Sequence, residues 1–161
     1  HSPYTLSLHD ALPILCSDEL QVRLVRLGYP IAACHDPVMM RVTAATLGPE
    51  HALIVCSLSG LTPELLDVVA LARNYDTPIV AITLAGSPLA ALADVVLALQ
   101  PAETSFIYKP TAARYGMLLA IDLLATELAL AMPDDNQERL RRIKLALDDY
   151  RGGPDSLPLG D

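Results

Sequence analysis

Aromatic residues are scarce in this chain of 161 residues. They make up 4%, with no tryptophan and a single phenylalanine, and that shortage argues against a platform on which nucleobases stack. Positive charge is short as well: 11 Lys and Arg stand against 19 Asp and Glu, a net charge of -8. A stand-alone nucleic-acid binder needs a basic footprint instead. Cysteine occurs three times, as Cys16, Cys34 and Cys56. The number is odd and the spacing is not that of a metal site, which leaves buried, reduced thiols of a cytoplasmic protein as the reading. No metal or cofactor is implied. No apolar run reaches the ~20 residues of a membrane helix. The longest candidate, Met117 to Met132, is broken by Asp122 and Glu127 and reads as a buried helix. What remains is apolar: 52% hydrophobic and only 19% charged. That excludes a mostly disordered chain, and the length suits one domain with a real core.

Residues 1–14 stand apart. The run Tyr4 to Ile14 resembles the translation of a common short-read sequencing adapter over eleven consecutive residues. It has neither the basic n-region nor the small-residue cleavage site of a signal peptide. We therefore expect 1–14 to be an assembly scar fused to a truncated gene. Residues 15–151 are expected to form the domain, and 152–161, rich in Gly and Pro, a flexible tail.

From Cys16 to Leu27 apolar residues recur with helical spacing, and Gly28 follows as a stop. Tyr29 to Cys34 reads as a short strand. Asp36-Pro37 pairs an N-cap with proline at the first helical position, opening a helix to about Leu47. Ala52 to Cys56 is a continuous apolar run, the mark of a strand buried on both faces. Thr62-Pro63-Glu64 starts a helix to about Asn74. Pro78 to Thr83 is a second buried strand, Ser87-Pro88 caps a short helix, and Asp94 to Leu99 is a third strand. A long helix covers roughly Thr111 to Ala131. Asp134 or Asp135 caps a last amphipathic helix carrying Leu140, Ile143 and Leu147 on one face. Strands alternating with helices predict an α/β fold, a parallel sheet covered by helices on both sides. Ligands of such sheets sit at the carboxyl ends of the strands.

The strongest local signal is Cys56-Ser57-Leu58-Ser59-Gly60-Leu61-Thr62-Pro63-Glu64. It follows a buried strand and opens a helix. Ser57, Ser59 and Thr62 supply hydroxyls, Gly60 lets backbone come close, and the helix N-terminus favours an anion. With no lysine in the loop it is not a nucleotide P-loop. A small phosphate monoester suits it better than a triphosphate. The other reading is a capped turn in which Thr62 only satisfies its helix.

S-x-S-G-x-T after a strand, followed by Ile82-Thr83, Ser87-Pro88-Leu89-Ala90 and Ala93-Asp94, resembles the SIS (sugar isomerase) domain. The likeness extends to the sensor domains of RpiR/HexR-type bacterial transcriptional regulators. Thr104 to Pro110 (T-S-F-I-Y-K-P), Arg114, Ile121 to Thr126, and Leu140-x-Arg142-x-Lys144-x-Ala146-Leu147 echo the HexR branch. The resemblance covers about Leu15 to Arg151. It implies a flavodoxin-like three-layer αβα sandwich around a five-stranded parallel sheet, and a homodimer. It also implies binding of a phosphorylated sugar or sugar acid that alters DNA affinity; for the HexR branch the effector implied is ketodeoxyphosphogluconate. By the same resemblance Ser57 is a phosphate-binding serine, and Ser59, Gly60 and Thr62 complete its cradle. A further ligand serine of the family, in a G-x-G-x-S turn after the first strand, would fall on Pro13. Part of the first strand, that turn and an N-terminal helix-turn-helix domain are therefore expected to be missing, so that DNA is a partner only through that domain. Thr5-Leu6-Ser7-Leu8 alternates like a strand where the family's first strand lies. We expect it to join the sheet with a poorly formed turn behind it.

Other polar residues are open to two readings. Arg114 and Lys109 could each contact a ligand carboxylate or form a surface or interface salt bridge. Glu103 could act as a base in an isomerase, or be an exposed loop carboxylate, the reading preferred. His35-Asp36 could be a catalytic pair, or a strand-end residue followed by an N-cap. Arg139, Arg141, Arg142 and Lys144 read as a solvated helix face, and Cys56 as a small buried residue. Two function classes follow: a ligand sensor of a transcription factor, or a phosphosugar aldose–ketose isomerase. Isomerisation needs a positioned base, usually His or Glu. All four histidines lie at or before His51, which favours binding over turnover and a protein that is not an enzyme.

Overall fold

A computed structural model describes residues 5–9, 14–100 and 112–151. In chain order these form β1 (Thr5–His9), α1 (Ile14–Arg26), β2 (Ile31–Cys34), α2 (Pro37–Ala44), β3 (Ala52–Cys56), α3 (Pro63–Arg73), β4 (Ile79–Leu84), α4 (Pro88–Leu92), β5 (Val95–Leu99), α5 (Ala112–Ala131) and α6 (Pro133–Tyr150). The five strands make one sheet in the order β2-β1-β3-β4-β5, and every described pairing is parallel. This is the flavodoxin-like sandwich. β1, inside the segment read as foreign, lies in the middle: Leu6 pairs with Ala32 on one side and with Leu53 on the other. The turn behind it lies outside the described residues.

The layers follow from the alternation of side chains along a strand. In β3, Leu53 and Val55 enter the core beneath α2, α3 and α4. Their neighbours Ile54 and Cys56 enter the core beneath α1 and α5. Ile79 and Ala81 of β4 join the first core, and Ile82 joins the second. A strand that feeds two cores must be apolar at every position, which is why Ala52 to Cys56 is an unbroken run.

Turn chemistry ends the helices where the sequence places it. Asp36 Oδ1 accepts the Met39 N–H at 2.8 Å, and Ser87 Oγ accepts the Ala90 N–H at 3.2 Å, each ahead of a proline at the first helical position. α1 closes on Gly28, whose φ of +82° sits in the left-handed region. Its N–H donates to the Val25 carbonyl at 2.9 Å and the Tyr29 N–H to the Leu24 carbonyl at 3.0 Å, the paired bonds of a Schellman ending.

Three local expectations are corrected. α2 stops at Ala44 rather than Leu47, because Thr46 N–H and Leu47 N–H turn back to the carbonyls of Thr43 and Ala44, three residues away. α6 begins at Pro133 with Met132 in the capping position and no side-chain cap. Asp134 and Asp135 lie inside its first turn, where negative charge favours the helix dipole. Arg139 is not part of a solvated face: its guanidinium donates to the Leu27 carbonyl at 3.0 Å and to Asn136 Oδ1 at 3.2 Å. Asn136 is buried, and its amide donates to the carbonyls of Leu128 and Ala129 at the end of α5. Together they brace the corner at which the chain bends by 109° between α5 and α6. Among the described residues no single helix is long and apolar enough to cross a membrane.

Candidate functional site

All described strands run the same way, so their carboxyl ends share one edge, and the Ser57–Thr62 loop leaves that edge at the centre of the sheet. Ser57 N–H donates to the Ile82 carbonyl at 3.1 Å and carries the β3–β4 ladder one residue further. Ser57 itself is fully buried. Its Oγ accepts the Gly60 N–H at 3.1 Å and folds the loop back over the strand end. Ser59 Oγ accepts the Leu61 N–H at 3.3 Å. Gly60 takes a φ of +65°, a conformation in which an L side chain is strained. Thr62 occupies the N-cap of α3 with extended backbone, and the Leu65 and Leu66 N–H groups donate to its carbonyl.

The N-cap of α3 differs from those of α2 and α4. The Thr62 side chain makes no cap hydrogen bond to α3, whereas Asp36 and Ser87 both cap their helices. Glu64 stands in the first turn of α3, and Leu61 is exposed beside the entrance.

The structure brings Ser57, Ser59, Gly60 and Thr62 into one loop. Arg114 is exposed on the first turn of α5 and forms no ion pair with a described carboxylate. Its charge acts on Cys16 of α1: burial pushes that thiol up, and Arg114 opposes part of the rise. Burial also raises Cys34. Lys109 and Glu103 lie outside the described residues. Asp36 caps α2. The His35 imidazole meets Asp18 Oδ1 of α1 at 3.1 Å. Cys56 is a core residue.

Sequence reading missed what supports the loop. Thr83 and Ser87 are both buried, with their hydroxyls 3.3 Å apart. A β-carbon built on Gly60 would lie 2.3 Å from Ser87 Oγ and 2.6 Å from Thr83 Oγ1. Leu89 N–H of α4 donates to the Gly60 carbonyl at 3.2 Å. The signal that could have found them is register: Cys56 pairs with Ile82, so Ser57 and Thr83 are next to each other at the sheet edge.

Comparison with known proteins agrees with this architecture. The family model of the SIS domain matches residues 15–127, and the chain belongs to that family. The HTH-type transcriptional regulator HexR of Escherichia coli is 31% identical over 139 residues, covering 86% of this chain and 48% of that protein. Among solved structures, the Vibrio vulnificus NanR protein complexed with ManNAc-6P superposes with a TM-score of 0.81 at 22% identity, over 91% of this chain and 56% of that one. The sugar isomerase domain of an RpiR transcription factor from Sphaerobacter thermophilus gives 0.77 at 21%, over 88% and 78%. The chain spans about half the length of the HexR proteins it matches.

Proposed function

We propose that this domain is the effector sensor of a cytoplasmic transcriptional regulator of sugar catabolism. Its ligand is a phosphorylated sugar or sugar acid held by Ser57, Ser59, Gly60 and Thr62, and for a HexR-like protein that ligand is ketodeoxyphosphogluconate. Lys109 and Arg114 are candidate contacts to the ligand's carboxylate, a surface or interface salt bridge being the other role open to each. Occupancy changes DNA binding by a helix-turn-helix domain of the full-length regulator, which works as a homodimer. The observation that carries the reading is the loop itself: Ser57, Ser59 and Thr62 lead, through a left-handed Gly60, from the end of β3 into the N-terminus of α3. First-turn N–H groups and the positive end of the dipole favour an anion there. The E. coli relative is a transcriptional regulator, which supports sensing rather than turnover.

Calorimetric titration tests this directly. The phosphate ester should bind far more tightly than the unphosphorylated sugar acid. Ser57→Ala removes the acceptor that folds Gly60 back and should weaken the ester roughly ten- to a hundred-fold, a charge-assisted bond being worth about 1.5–3 kcal/mol. Equal binding by wild type and Ser57→Ala would show the loop to be only a turn. No aldose–ketose interconversion of phosphosugars is expected, since no histidine follows His51 to complete such a site.

A further inference from the structure

Resting on the reading of Ser57–Thr62 as an anion loop, we infer that Thr83 and Ser87 are positioning residues: a buried hydroxyl pair that sets the height of Gly60 and ties occupancy of the loop to α4. Thr83 is fully buried and Ser87 nearly so. The pair lies directly beneath the Gly60 α-carbon, with no room for a β-carbon between them.

The connection to α4 is made by hydrogen bonds. A helix begins with N–H groups that have no partner inside it. In α4 the Ala90 N–H is taken by Ser87 Oγ at 3.2 Å. The Leu89 N–H is taken by the Gly60 carbonyl at 3.2 Å, from outside the helix. The Gly60 N–H, in turn, goes to Ser57 Oγ. One peptide segment therefore hangs between the strand end of β3 and the first turn of α4, resting on two hydroxyls. An anion that draws on the backbone around Gly60 must move that segment or stiffen it. Either response reaches Leu89, which is itself buried in the core under α3. Ser87 thus has two tasks, capping its helix and supporting the loop. Thr83 has only the second among the described contacts, which makes it the cleaner residue to change.

Amide-resolved NMR titration with inorganic phosphate, on wild type, Thr83→Val and Thr83→Ser, tests the inference. Valine keeps the branched shape, deletes the hydroxyl and leaves the Ser87 cap in place. Serine keeps the hydroxyl and drops a methyl group. Phosphate should shift the amides of Gly60 and Leu89 together in wild type and slow hydrogen exchange at Leu89. Thr83→Val should weaken phosphate roughly tenfold and uncouple the Leu89 response, and Thr83→Ser should restore both. Ser87→Ala should weaken phosphate at least as much; if it unfolds α4, the Thr83 pair still decides. Wild-type affinity and an unchanged Leu89 response in Thr83→Val would overturn the positioning role while leaving the anion loop intact. So would a Thr83→Ser variant as weak as Thr83→Val. A wild-type chain whose loop takes up no phosphate would overturn the anion reading and this inference with it.

Discussion

α3 and α5 cover opposite faces of the same sheet, yet they divide their surfaces differently. α3 buries Leu65, Val68, Val69 and Ala72 and turns Glu64, Asp67, Ala70 and Arg73 to solvent. One stripe meets the core, with Leu66 and Leu71 packed partly buried against it, the pattern of a helix whose packing is complete within its own domain. α5 buries Met117, Ile121 and Ala125, but Leu119, Leu123 and Leu130 remain 57–65% exposed, and Tyr115 is exposed as well. The apolar surface of α5 exceeds what this sheet can cover. The sequence reading of a buried helix holds for one stripe only. The excess on the other side is what our proposal of a homodimer rests on.

Substitutions on the two helices should therefore fail in different ways. The largest effect is expected in α3: Leu65→Ala in the core should cost about 2–5 kcal/mol of folding stability, read by chemical denaturation. In α5, Leu119→Glu or Leu123→Glu should leave folding within about 0.5 kcal/mol and instead produce monomers in sedimentation at micromolar concentration. A large loss of folding stability in the α5 variants, with the oligomeric state unchanged, would place these leucines in the domain's own core.

A second contrast lies at the helix N-termini. Asp36→Ala removes an observed cap and should cost about 1 kcal/mol. Thr62→Ala, whose side chain makes no cap bond, should cost clearly less in thermal denaturation while weakening the phosphate ester. Equal stability losses would return Thr62 to an ordinary cap.

The smallest effect is expected on α6, which packs beside α5. Hydrogen bonds from Arg141 and then Arg142 lower the Glu138 carboxyl from 4.5 to about 2. Because the folded value lies below the unfolded one, the pairing contributes above pH of about 4.5, and that contribution is lost as pH falls towards 2. The group is solvent-exposed, so the effect on stability is minor. Glu138→Gln should erase the low carboxyl titration in NMR and barely alter the acid limb of unfolding.

The local grammar of the fold could be read from residues close together in the chain. A continuous apolar run defines β3, Asp36-Pro37 and Ser87-Pro88 open α2 and α4, and Gly28 closes α1. S-x-S-G-x-T marked the loop for the same reason: its members lie within six residues of one another. The tertiary structure alone decided what that loop rests on. It put Gly60 against Thr83 and Ser87, more than twenty residues away, and left the N-cap of α3 without a side-chain cap bond. It bound Arg139 to the carbonyl of Leu27, 112 residues away, and it sorted the apolar residues of α5 into a buried and an exposed set. Turns and periods obey forces acting over one helical turn or two strand residues. Contacts between distant segments depend on the register of β3 against β4 and on which helix shares a face with which, and those are set only when the whole sheet has assembled.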